Sequence, residues 1–99
     1  MEELGGGAGI IVMGGSVSVI DSAIRLTGTS NFDYIGIQTL SNTNISITNS
    51  TIDVVHNSNT GNAVVLSNGN GSNITVIDSN LSVQGTNSSI ATGNPVNIN

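Results

Sequence analysis

The chain has 99 residues, of which Asn, Ser and Thr supply 39, Gly 13, the aromatics two, and Lys plus Arg one, for a formal charge of -5. A single basic residue leaves nothing to neutralise phosphates, which sets aside nucleic acid and anionic membrane surfaces as partners, and no apolar run is long enough for membrane insertion. With no cysteine there is neither a disulfide framework nor a thiolate metal site.

So polar a composition invites a reading as disorder, but disorder goes with few β-branched residues and high charge. Here only 7% of residues are charged, and Val and Ile recur at regular intervals. Helix formers are scarce, so the local preferences favour an all-β chain of strands joined by polar turns.

In chain order, Met1-Glu2-Glu3-Leu4 lacks the basic and apolar regions of a signal peptide, so a secreted parent would contribute it as a mature or excised piece. Residues 1–8 read as a flexible Gly-rich lead-in, and residues 9–99 as one folded segment, incomplete or self-stacking. The Gly5–Gly9 run has no Lys and Ser/Thr placed after it, so it is not a phosphate-cradling loop.

A first, short strand is expected over Ile10 to Met13. The repeat then begins: Val17-Ser18-Val19-Ile20-Asp21-Ser22-Ala23-Ile24-Arg25-Leu26-Thr27-Gly28 recurs from Ile45 to His56 and again from Ile74 to Gly85, at offsets of 28 and 29 residues. Within each copy apolar and polar residues alternate, a turn of Asp-Ser or Asn-Ser intervenes, and alternation resumes. This is the period-two signature of two half-buried strands around a corner.

Four core columns follow from the repeat: Val17, Ile45 and Ile74; Val19, Ile47 and Val76; Ile24, Ile52 and Leu81; Leu26, Val54 and Val83. Between the copies lies a third, less regular strand, over Tyr34 to Leu40 and Ala63 to Leu66, and Val96 to Asn99 begins a further coil. The expectation is a single-chain parallel β-solenoid of about three coils of 28–29 residues with three short strands per coil. An antiparallel sandwich is the rival. Its hairpins, however, favour Asn-Gly or Asp-Gly at the reversal, and like residues at near-constant offsets suit parallel rungs about 4.8 Å apart.

Asn44-Ile45-Ser46-Ile47-Thr48-Asn49-Ser50-Thr51-Ile52 and Asn73-Ile74-Thr75-Val76-Ile77-Asp78-Ser79-Asn80-Leu81 resemble the parallel β-helix repeats of the pectate-lyase-like superfamily, over roughly Gly9 to Asn99. The resemblance implies a right-handed coil with three sheets, an interior aliphatic ladder and a stacked corner residue, often Asn. That superfamily includes polysaccharide lyases and hydrolases, phage tailspikes, and adhesin or autotransporter passenger domains. With no Lys, one Arg and no cluster of acids, this chain is closest in character to the passenger domains.

Asp21, Asn49 and Asp78 occupy one corner on successive rungs, so two carboxylates flank an amide over about 9.6 Å. That separation suits an inverting carboxylate pair, but Asn and Asp at a corner more often hold the turn through their own backbone. Arg25, Asp53 and Ser82 share an outward column, where Arg25 and Asp53 form a surface ion pair. Phe32, Asp33 and Tyr34 either cover a corner of the core or offer a glycan a stacking platform.

His56, alone at a strand end beside Asn57 and Ser58, reads as a solvated loop residue. Gly69-Asn70-Gly71 lacks the Asp of calcium-binding nonapeptides. Outward Ser18, Ser46 and Thr75 make no Thr-any-Thr array of the kind that binds ice. Glycosylation triplets begin at Asn44, Asn49, Asn70, Asn73, Asn80 and Asn87. Outward Ile20, Thr48 and Ile77 form a small stripe suited to lateral packing.

The sequence thus points to a non-enzymatic structural or adhesive module, extracellular or on a cell surface, with no catalytic residue, cofactor or metal. Its partners are itself by end-to-end stacking, and a surface glycan or host receptor. The alternative is a fragment of a carbohydrate-active β-helix whose catalytic residues lie outside these residues.

Overall fold

A computed structural model describes residues 2–3, 7–28, 33–57 and 61–99. Twelve strands account for the regular structure among them: β1 (Glu2–Glu3), β2 (Gly7–Val12), β3 (Gly15–Ile20), β4 (Ala23–Gly28), β5 (Tyr34–Thr39), β6 (Thr43–Thr48), β7 (Thr51–His56), β8 (Ala63–Asn68), β9 (Asn73–Ile77), β10 (Asn80–Gln84), β11 (Ser88–Gly93) and β12 (Asn97–Ile98). They form three four-stranded sheets, in the orders β1-β4-β7-β10, β2-β5-β8-β11 and β3-β6-β9-β12. Neighbours in every sheet are three strands apart in sequence and run parallel. The chain therefore visits the three sheets in turn and returns one rung further on, as a parallel β-helix does.

Register places like side chains over one another. Val17, Ile45 and Ile74 are successive partners, as are Val19, Ile47, Val76 and Ile98. In the β4-β7-β10 sheet the same holds for Ile24, Ile52 and Leu81, and for Leu26, Val54 and Val83. The alternating burial of β6 and β7 leaves Ile45, Ile47, Ile52 and Val54 inside and their neighbours outside. At about 25 cal/mol per Å² of apolar surface withdrawn from water, these columns are the main favourable term.

Exposure within the columns depends on the rung. Ile47 in the middle is fully buried, whereas Val17, on the outermost strand of its sheet, is 37% exposed, and Leu81 and Val83 on the outermost strand of theirs are half-buried. Val17 is thus a correction to its place in the core: it lies open on β3, which has a neighbour on one side only, while Val19 on the same strand stays buried.

The third strand of each coil breaks strict alternation for a physical reason. In β5, Tyr34, Gly36, Ile37 and Thr39 are buried, so two consecutive residues face inward. A Cβ at Gly36 would lie 2.6 Å from the Val65 carbonyl oxygen and 2.9 Å from Ile52 Cγ2. The strand can bend inward here only because Gly36 has no side chain.

Three stretches differ from the sequence reading. Pairing begins inside the expected lead-in, since β1 runs beside β4, and Gly7 and Ala8 pair with Tyr34 and Ile35. Ladder hydrogen bonds need only backbone groups, and glycines supply those. The strand expected to stop at Leu66 continues to Asn68, and the fourth rung starts at Ser88 in β11 rather than at Val96.

Stability should follow the rungs. Replacing Ile47 by Asp buries a carboxylate without a partner, and we expect a loss of several kcal/mol, seen as collapse of the far-UV circular dichroism melt. Val17→Ala should cost under about 1 kcal/mol, because its site is already open to solvent. Equal losses from the two substitutions would contradict the assignment of inner and outer rungs.

Candidate functional site

The corner between β3 and β4, repeated between β6 and β7 and between β9 and β10, carries the first set of candidate residues. Asp21, Asn49 and Asp78 all adopt left-handed backbone, with φ of 52°, 49° and 50°. Asn and Asp tolerate this region better than other non-glycine residues because their short polar side chains bond locally. The Asp21 N–H donates to Thr48 O at 3.1 Å and the Asn49 N–H to Ile77 O at 3.0 Å. Asn49 Nδ2 donates to Asp21 Oδ1 at 2.6 Å, so the amide ties one exposed carboxylate to its own rung.

The serine that follows each corner residue makes a second ladder that the sequence reading did not single out. The hydroxyls of Ser22, Ser50 and Ser79 donate to the carbonyls of Ile20, Thr48 and Ile77 at 2.8, 2.9 and 2.9 Å. They also accept along the stack: the Ser22 N–H donates to Ser50 Oγ at 3.2 Å and the Ser50 N–H to Ser79 Oγ at 3.0 Å. The recurring Asp-Ser or Asn-Ser pair is thus a turn residue followed by a rung-to-rung hydrogen-bonding residue.

On the outward face of the β4-β7-β10 sheet, Arg25 Nε lies 3.8 Å from Asp53 Oδ2, and Ser82 Oγ donates to Asp53 Oδ1 at 2.7 Å. The pair is largely exposed, so its contribution is at most about 1 kcal/mol. Among the described residues no three His, Cys, Asp or Glu side chains converge in a way that would hold a metal ion.

The aromatic candidates divide. Tyr34 is fully buried and stacks on the His56 ring, with centroids 4.6 Å apart and planes inclined at 29°. It covers a corner of the core and is no platform for a glycan. His56 is 1% exposed rather than solvated, because it continues the inward alternation Ile52, Val54, His56 of β7. Asp33 is exposed and its Oδ1 accepts the Asn62 N–H at 2.8 Å, while Phe32 lies outside the described residues.

Two shallow concavities mark the outer faces. One, of about 400 Å³, crosses the β5-β8-β11 face, with Ile35 and Val64 at its base and Asp33, Asn62, Asn87 and Ser67 around them. The other, of about 340 Å³, crosses the β3-β6-β9 face over Ser18, Ser46 and Thr75, where Asn73 Nδ2 donates to Asn44 Oδ1 at 2.9 Å. Both combine hydroxyl and amide side chains with aliphatic ones, Ile35 and Val64 in the first and Val17 and Ile45 in the second, and neither carries a basic group. All six asparagines that open a glycosylation triplet are exposed.

The corner account makes a quantitative expectation. Asn49→Ala removes the bond to Asp21 and forces a left-handed alanine, at a cost of about 1–2 kcal/mol in chemical denaturation. Asn49→Gly loses the same bond without the backbone strain and should cost less. Equal losses for Gly and Ala would show that the side-chain bond, not the turn geometry, is what matters.

Searches of protein-family models, of curated proteins and of solved structures returned no match to this chain.

Proposed function

We propose that this chain is a non-enzymatic structural or adhesive module of a cell surface or extracellular fibre, a rigid β-helix segment whose rungs continue by end-to-end stacking. The observation that carries the reading is apolar exposure on both outermost strands of the β3-β6-β9-β12 sheet. Val17 on β3 is 37% exposed and Ile98 on β12 is 52% exposed, while the residues between them in the same sheet, Ile45, Ile47, Ile74 and Val76, are buried. Edge strands present unpaired backbone groups that template another strand.

A further rung, from the same polypeptide or from a second copy, would cover these side chains and pair those backbone groups. Parallel continuation by a second copy sets its Val19 over Ile98, extending the column Val19, Ile47, Val76 and Ile98 in phase. The likeness of the repeat to pectate-lyase-like and passenger-type β-helices supports the same reading, as does a chain with no Lys and one Arg.

The second reading, a segment of a carbohydrate-active β-helix or a glycan-binding face, rests on the concavity of about 400 Å³ beside Asp33, Asn62 and Asn87. Its polar rim and lack of basic groups favour a neutral saccharide or host glycoprotein over an anionic ligand.

Sedimentation velocity with negative-stain electron microscopy over a concentration series separates the two. Stacking predicts rods or discrete oligomers that grow with concentration and are shortened by Ile98→Lys, which places a charge in the junction. A folded monomer at every concentration would overturn end-to-end assembly. Saccharide binding lost in Asn62→Ala would then support the glycan reading.

A further inference from the structure

Two asparagines of the chain precede glycine, Asn68-Gly69 and Asn70-Gly71. Such pairs are chemically labile, because the N–H that follows the asparagine is unshielded by any Cβ and the backbone is free to fold back on the side chain. The fold treats the two pairs differently.

Asn68 ends β8 and is 3% exposed. Its Oδ1 accepts from Thr39 Oγ1 at 2.9 Å, and its Nδ2 donates to the carbonyls of Ser72 and Pro95, each at 3.1 Å. The Gly69 N–H, the group that would attack, donates to Thr39 Oγ1 at 2.9 Å. Nucleophile and electrophile are each held by other partners.

Asn70 lies on the surface, as the first central residue of a turn closed by the Ser72 N–H donating to Gly69 O at 3.2 Å. Gly71 is the second central residue, with φ of 68°. Among the described residues the Asn70 side chain takes part in no hydrogen bond, and only its main-chain carbonyl is engaged, by the Asn42 N–H at 3.0 Å.

We propose that Asn70 is a site of spontaneous deamidation built into the corner between β8 and β9, and that the fold protects Asn68 two residues away. The Gly71 nitrogen attacks Asn70 Cγ. The new N–Cγ bond forms as the Cγ–Nδ2 bond breaks, and Nδ2 leaves as ammonia with the proton given up by the Gly71 nitrogen. Water then opens the succinimide at either carbonyl, giving an aspartyl or an isoaspartyl linkage.

The product adds a negative charge to a chain already at -5. The isoaspartyl form also adds a methylene to the main chain inside a two-residue turn. That lengthening bears on the carbonyl that receives the Asn42 N–H, so the modification loosens the rung contact between the corners of the second and third coils.

The test is to age the intact folded chain at mildly alkaline pH and warm temperature, and to quantify aspartyl and isoaspartyl products in thermolysin peptides by mass spectrometry. Deamidation at Asn70 should run about tenfold or more ahead of Asn68, since Asn68 reacts only after local opening. In concentrated urea the two sites should converge. Thr39→Val, which removes both hydroxyl contacts, should raise the Asn68 rate; if that variant does not fold, the urea comparison stands by itself. Equal rates in the folded chain, or a faster Asn68, would overturn the proposal.

Discussion

Parallel pairing between strands three elements apart in sequence imposes a closure condition on every coil. The chain must leave a sheet, pass through two others and come back displaced by one strand spacing, about 4.8 Å, with its side chains in phase. The sequence meets that condition with offsets of 28 and 29 residues between Ile24, Ile52 and Leu81. A slip of one residue would turn every inward Ile or Val outward. The interior columns and the corner ladders both depend on this register.

The corners explain how a chain so rich in Asn, Ser and Thr folds. A corner buries backbone groups that no strand pairs, and an unpaired buried group costs about 1–3 kcal/mol. Short polar side chains supply the partners. Thr43 Oγ1 accepts the Gly14 N–H at 2.7 Å, Ser72 Oγ accepts the Thr43 N–H at 3.0 Å, and Ser72 in turn donates to the Leu40 carbonyl. Asn68, Thr39, Thr43 and Ser72 are all buried, so this polar content is internal scaffolding as much as surface. Some of the composition that suggests a binding face is spent inside the fold.

Much of this was legible in the sequence because it rests on local alternation and constant offset. The strand pairs β3/β4, β6/β7 and β9/β10, and the columns through Ile45, Ile47, Ile52 and Val54, required only period two and a repeat. What was not legible depends on neighbours distant in sequence. His56 resembles a loop residue until Tyr34 stacks on it. Val17 matches its column in type but lies on an outermost strand. The strand β11, Ser88–Gly93, carries one large apolar residue, Ile90, and is defined by pairing with β8 rather than by any pattern of its own. The same reasoning applies to Asn68, whose role as a hub appears only when Thr39 and Pro95 are brought to it.

Val17 and Ile98 are exposed apolar residues on the two outermost strands of the β3-β6-β9-β12 sheet. All of this rests on parallel rungs in register. The most direct test is a set of backbone and side-chain NOEs measured on an isotopically labelled chain. Contacts should link Ile45 to Ile74, Ile47 to Val76 and Ile52 to Leu81, at a separation of 29 residues and in the same chain direction. Strong Hα–Hα contacts between strands of opposite direction, the mark of antiparallel pairs whose Cα atoms lie about 4.5 Å apart, would contradict it.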